Sequence, residues 1–239
     1  IGLYDDKFDL NPNLKLLLIG LIIFLFLYFD NSSVIRDLKF SFLQKPVHIG
    51  QYSYIFSVLC YLLFINACNM FDGINLQSSS YFLIFILSIS LIGDLSLFTV
   101  IVIFSLLSFI ALNVNGRIFM GDSGIYLYTF TLGFLAIKSY NLNIIRDVDT
   151  IFILMMVPGI DMLRMFIIRI FKGKNPFRPD RKHIHHLLNH KFNYKKTILI
   201  LNFMILTPIF LYLMEISSLI IIFFYISFYL IFIYSFKKI

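Results

Sequence analysis

The sequence predicts an all-α fold, a polytopic transmembrane helical bundle of about eight spans. Three observations predict it. Hydrophobic residues fill 59% of the 239 positions and charged residues only 14%, well under the roughly 25% charged residues of a soluble globular domain. The apolar residues fall in eight runs, most of them near the roughly 17–25 residues that a membrane helix needs. The charges collect in the breaks between those runs.

Taken in order, the first run covers 14–29 and follows the polar segment 1–13. The second covers 52–68. Runs 78–92 and 95–112 are divided by Gly93-Asp94, a turn signal; the alternative is one long tilted or broken element over 78–112. Runs 125–139, 151–170, 197–213 and 216–236 complete the set. None alternates with the period of two that marks a strand, and an open strand edge in lipid would leave backbone groups unsatisfied. Pro158-Gly159 kinks the sixth run. Asp161 and Arg164, three residues apart in that run, are expected to pair with each other, although charge inside a span is by default a functional signal. Cys60 and Cys68 are too few for a disulfide framework and read as small buried hydrophobes. No internal repeat or linker divides the chain, so 1–239 is expected to form a single integral-membrane domain. It opens on Ile1 inside a polar motif, which predicts that further spans precede it.

Alternating spans put the breaks 1–13, 69–77, 113–124 and 171–196 on one side, with the C-terminus. The breaks 30–51, 93–94, 140–150 and 214–215 fall on the other. Of the 20 Lys and Arg, only Arg36, Lys39, Lys45, Lys138 and Arg146 lie on the second side. The positive-inside rule makes the first side cytoplasmic. The net charge of +7 suits anionic lipid or phosphorylated substrates. It argues against nucleic acid as a partner, since it is not spread along a soluble face.

Four polar strings share the expected cytoplasmic side. Asp5-Asp6-x-x-Asp9 would put Asp5 and Asp9 on one helix face, where repulsion between carboxylates calls for a cation. Mg²⁺, with Mn²⁺ as a substitute, prefers such oxygen ligands and bridges to phosphate; a solvated acidic loop is the plainer reading. Asn66 and Asn69 sit where a span meets water, followed by Asp72-Gly73-Ile74-Asn75. Amides there can ligate a metal or meet a nucleobase edge, or the string is simply a capped helix end. Gly116-Arg117-Ile118-Phe119-Met120-Gly121-Asp122-Ser123-Gly124 leads into a span. Its glycines allow a phosphate to approach the backbone at a helix start, with Asp122 holding the bridging cation; a glycine-rich turn is the alternative. In Arg181-Lys182-His183-Ile184-His185-His186, zinc is one reading of the three histidines. Phosphate binding by Arg181, His185 and His186 fits better, because no cysteine joins them and no i, i+4 pair is formed.

The strings LYDDKFDL, NACNMFDGIN, GRIFMGDSG, VPGIDMLR and NPFRPDRKHIHHLL, in this order, resemble the polyprenyl-phosphate N-acetylhexosamine-1-phosphate transferases, over residues 1 to about 189. The HIHH form is closer to the GlcNAc-1-phosphate branch. The resemblance implies transfer of a sugar 1-phosphate from a UDP-N-acetylhexosamine to polyprenyl phosphate with release of UMP. This would be the first membrane step of a cell-surface glycan such as lipopolysaccharide, catalysed at the cytoplasmic face of a bacterial inner membrane, with a homodimer as a compatible assembly. It implies Asp122 and Asn69 as Mg²⁺ ligands and Asp5 and Asp6 as the groups that orient or deprotonate the lipid phosphate. Asp72 and Asn75 fall at the uridine, beside Phe119, and Arg181, His183, His185 and His186 at phosphates or sugar; Asn66 is a further expected substrate-binding residue. Leu76 departs from the family pattern, which has glycine there, and predicts a looser loop. Two other functions are weighed. An intramembrane prenyltransferase would need a second Asp-rich motif, and an ion-coupled transporter would need repeats and matched helix breaks. Neither is present in the sequence.

Overall fold

The computed structural model describes all residues except 9, 94–95, 177–181 and 238–239, so Asp9 and Arg181 lie outside the described residues. Two helices open the chain: α1 (Gly2–Phe8) and α2 (Pro12–Phe29). Asn11 caps α2 by accepting from the N–H of Asn13, with Pro12 at the first helical position, where its missing N–H is not needed. There follow α3 (Ser53–Phe71), α4 (Gln77–Ile92), α5 (Leu97–Asn113), α6 (Gly121–Asn141), α7 (Val148–Phe171), α8 (Ile184–Lys191), α9 (Tyr194–Leu213) and α10 (Ser218–Lys237).

Among the described residues, eight helices of 16 to 24 residues occupy the eight apolar runs. Five of them, α2, α3, α7, α9 and α10, are long and apolar enough to cross a membrane. The apolar helices α4 and α5 are shorter, at 16 and 17 residues. The α6 helix is long, but its ends carry Asp122 and Lys138. The α4 helix ends at Gly93, whose N–H returns to Ile89 O, so 78–112 forms two helices. Two features depart from the expected all-α fold with open loops. The break 30–51 contains an antiparallel two-residue pair, β1 (Asp37–Leu38) with β2 (Val47–His48), and the break 171–196 contains α8.

Aromatic packing organises the interior. Phe64 stacks on Phe85 at 5.5 Å between ring centres, and Phe71 meets Tyr81 edge-on, tying α3 to α4. Tyr61 stacks on Phe130 of α6. Gly133 permits this approach, since a Cβ there would lie 3.1 Å from the Tyr61 ring. Cys60 and Cys68 are unpaired, and Cys68 is fully buried in the core.

Among the described residues, hydrogen bonds join the polar breaks in two groups. At one end, Tyr140 Oη donates to Asp37 O, Val148 N to Lys39 O and Thr150 Oγ1 to Tyr212 Oη, each at 2.8 Å. At the other, Lys15 reaches Asp122, Leu76 N donates to Asn113 Oδ1 and Tyr194 Oη donates to Asn75 O. That second end holds the described candidate site residues.

Candidate active site

The site begins where α1 lies across the start of α6. Contact is close because residue 2 is glycine: a Cβ there would fall 2.4 Å from Ser123 Cα. From α1, Asp6 sends its carboxylate to the α6 N-terminus. Its Oδ1 accepts from Asp122 N at 2.7 Å and its Oδ2 from Ser123 Oγ at 2.9 Å. Gly121, at φ +62°, leaves room for Asp6 Oδ2, which a Cβ would meet at 2.9 Å. A carboxylate there satisfies helix N–H groups and complements the helix dipole.

Asp5 points the other way and is buried. Its Oδ1 accepts from Leu10 N at 2.7 Å and its Oδ2 from the Lys15 ammonium. The same ammonium donates to Asp122 Oδ2 at 2.5 Å, and Tyr126 Oη donates to that oxygen at 2.8 Å. Lys15 therefore sits between two carboxylates brought from distant parts of the chain. Burial alone would raise the Asp5 carboxyl, but hydrogen bonding with Asp122, Lys15 and the Leu10 N–H outweighs it and holds the group at about 2. Nothing in the sequence singles out Lys15; it reads as one more basic residue at the cytoplasmic end of a span.

The second part of the site hangs on the end of α3, which runs further than its apolar stretch and carries Asn66 and Asn69 into helix. Asn66 turns back on its own helix, with Nδ2 donating to Leu62 O at 2.7 Å, and does not join the cluster. Asn69 occupies the last turn, its carbonyl accepting from Asp72 N. Asp72, Asn75 and Phe119 line one cavity of about 210 Å³ together with Gly73, Leu76, Asn113 and other neighbours. Burial lifts the Asp72 carboxyl to about 6, with the charge of Asp122 adding to the effect. Leu76 does not loosen the loop as expected. It takes the left-handed conformation at φ +66°, which glycine adopts without strain, and Asn113 Oδ1 holds its N–H at 2.7 Å. The turn stays tight at an energetic cost.

The histidines form the third part. His185 is buried against Gly73, where a Cβ would stand 1.9 Å from its Nε2. Gln77, a residue without a sequence signal, faces His185 Nδ1 at 3.2 Å. Burial, aided by the neighbouring His186, pushes the His185 pKa down to about 3, so this ring is uncharged at neutral pH. His186 is half-buried, with its ring centre 4.1 Å from that of His185. His183 stacks 5.8 Å from His185 and turns inward to Asp161, with Nδ1 at 2.7 Å from Oδ2. Asp161 pairs with Arg164 at 2.7 Å, as expected, and also meets His183, the Ile184 N–H and Tyr229.

Asp5, Asp6 and Asp122 thus form one group, Asp72, Asn75 and Phe119 a second and His183, His185 and His186 a third, on the same end of the bundle. Among the described residues, no three His, Cys, Asp or Glu side chains converge to enclose a metal ion. The donors beside Lys15 are carboxylate oxygens, which suit a hard cation. Mg²⁺ takes one or two carboxylates and completes its shell with water and phosphate oxygens, so the donor set fits it. A larger cavity, about 640 Å³, lies elsewhere, among α3, α6, α7 and α10, and its lining is almost wholly apolar.

A model described as Glycosyl transferase family 4 matches residues 1–140. The undecaprenyl-phosphate alpha-N-acetylglucosaminyl 1-phosphate transferase of Escherichia coli (strain K12) is 28% identical over 204 residues, which cover 79% of this chain and 54% of that protein. The transferase of the same name from Thermotoga maritima is 29% identical, with 84% and 62% covered. That of Yersinia pestis is 30% identical, with 79% and 54% covered. The chain spans about half the length of the curated relatives it matches.

Proposed function

The chain belongs to glycosyl transferase family 4, among the polyprenyl-phosphate N-acetylhexosamine-1-phosphate transferases, and from that premise we propose that it moves a sugar 1-phosphate from a UDP-N-acetylhexosamine to undecaprenyl phosphate. One observation carries the reading: Asp5 and Asp122, far apart in sequence, meet on one Lys15 ammonium, at the end of the bundle that also holds the Asp72–Asn75–Phe119 cavity. In the reaction, an oxygen of the lipid phosphate attacks the sugar-bearing phosphorus of the donor. The bond from that phosphorus to the bridging oxygen breaks, the oxygen and its electron pair leave with UMP, and a lipid-diphospho-sugar forms.

Two anions must approach each other, and cationic or preorganised polar groups offset their repulsion. Asp122 and Asn69 are the proposed ligands of a Mg²⁺ ion, which when bound supplies charge neutralisation to the donor diphosphate. Lys15 keeps Asp5 and Asp122 at one place. A phosphate monoester has a second pKa near 6 and is largely dianionic at neutral pH without a base. Asp5, already engaged by Leu10 and Lys15, therefore orients rather than deprotonates, and Asp6 fixes the start of α6 on which Asp122 stands. Asp72, Asn75 and Phe119 form the proposed uridine pocket, with the exposed Phe119 ring free to stack on a base. The proposed setting is a bacterial inner membrane with the site toward the cytoplasm, as the first membrane step of a surface glycan.

The test is UMP release by the protein in native membranes. Release is expected only when UDP-N-acetylhexosamine, undecaprenyl phosphate and Mg²⁺ are all present, and Asp122→Asn is expected to lower it about 100-fold or more with folding retained. Release without the lipid acceptor, or near-normal turnover in the variant, would overturn the reading.

A further inference from the structure

We propose that His183 is a positioning residue rather than a substrate contact, and that Asp161 of α7 and Tyr229 of α10 latch it in place and so dock the histidine segment 183–191. The proposal rests on the transferase reading only for what the docked segment then does.

Asp161 is almost fully buried, at 2% exposure, and a buried carboxylate persists only when its acceptor sites are filled. Arg164 supplies one charged donor, Nη2 to Oδ1 at 2.7 Å. That pair alone would balance the charge. The carboxylate takes three more donors, and two of them come from the histidine segment. Oδ2 meets His183 Nδ1 at 2.7 Å, while Oδ1 accepts from Ile184 N at 3.3 Å and from Tyr229 Oη at 2.6 Å. The Ile184 N–H belongs to the first residue of α8, so the carboxylate fastens both the ring before that helix and the helix start. Arg164 Nη2 also donates to Lys182 O at 2.7 Å, holding the backbone on the other side of His183.

The proton on His183 follows from its neighbours. Arg169 Nη2 faces Nε2 at 3.3 Å. A guanidinium donates and cannot accept, so Nε2 must offer its lone pair, and the ring proton belongs on Nδ1, facing Asp161. Both nitrogens are then committed within the protein, and His183 is itself buried at 4% exposure. Its ring lies parallel to that of His185, 5° from coplanar in tilt at 5.8 Å, so the latch also sets where His185 and His186 stand. Tyr229 is fully buried and lies on the last helix of the chain, beyond the 1–140 family match. The latch gives that helix a place in the site.

The test uses the membrane-embedded protein with ¹⁵N-labelled histidine. His183 is expected to show a protonated Nδ1 and an unprotonated Nε2, and the opposite tautomer would overturn the assignment. Tyr229→Phe and Asp161→Asn are then compared by hydrogen exchange. Amides of 183–191 are expected to exchange about tenfold faster or more in both variants, with the remaining helices unchanged, while Asp161→Glu restores part of the protection. Unchanged exchange in both variants would overturn the latch. Donor turnover separates positioning from mere stability: kcat/KM for the UDP-sugar falls in Tyr229→Phe at unaltered Tm, and unaltered kcat/KM with loosened exchange would overturn the positioning role. If the unmodified protein releases no UMP from any UDP-sugar, the transferase reading fails while the exchange result still decides the latch.

Discussion

Leu76 shows how one side chain can oppose its own backbone. A left-handed conformation costs a non-glycine residue about 1 kcal/mol or slightly more, and Leu76 adopts it at φ +66° while its N–H binds Asn113. Leu76→Gly is therefore expected to stabilise the protein by about 0.5–1 kcal/mol, read as a higher Tm, and to enlarge the Asp72 cavity that Leu76 lines. Asp72 gives a pH-dependent counterpart. Burial raises its carboxyl to about 6, so the folded protein holds this proton more tightly than the unfolded chain does. The associated stability is fully present below the ordinary carboxylate pKa and is lost as pH rises through about 6. Asp72→Asn should have a higher Tm than the parent at pH 7.5, with the gap closing toward pH 4; a gap that widens on acidification would contradict the burial argument. At this scale the carboxylates and histidines were legible in the sequence, because charge in an apolar chain marks itself. Lys15, Gln77 and Tyr229 were not. A lysine at a span end is explained by membrane sidedness alone, and a tyrosine in an apolar helix gives no sign of what its hydroxyl meets.

Among elements, the joint of α1 and α6 matters most. The Asp6 carboxylate caps a helix that begins 115 positions later in the sequence, where α6 has no cap of its own, since Met120 offers no oxygen. Asp6→Ala is expected to destabilise by about 1 kcal/mol and to speed exchange of the first-turn amides of α6, whereas Asp6→Asn should keep most of the cap. Hydrophobic run length located the eight long helices and left their ends uncertain. The α3 helix continues to Phe71, past the last purely apolar stretch, because Asn66 satisfies its side chain on the helix itself. The α8 helix and the β1–β2 pair were missed for a different reason. Both are short and polar, and tertiary contacts hold them in place: Asp161 for α8, and Tyr140 between Asp37 and Lys39 for β1.

For the whole molecule, alternation of spans and the distribution of lysine and arginine predict two ends, and among the described residues hydrogen bonds join 1–29 to 113–124 and 69–77 to 113 and 194 at one end and 30–51 to 140–150 at the other. Asp147 precedes α7 and Lys182 follows it, and a 24-residue helix separates its ends by about 36 Å at 1.5 Å per residue. Cysteines placed at Asp147 and at Lys182 should therefore label from opposite faces of sealed vesicles, Lys182 from the cytoplasmic face; labelling of both from one face would refute the topology.

The meeting of Lys15 with Asp122 also has a timing. These residues stand 107 positions apart, and a ribosome adding about 5–20 residues per second takes roughly 5–20 s to cover that distance. Until then Lys15 has only Asp5, ten positions away, of its two carboxylate partners. Asp122 is made after α1 to α5, so the two carboxylates are joined only then, as a seam between stretches of the nascent chain made seconds apart.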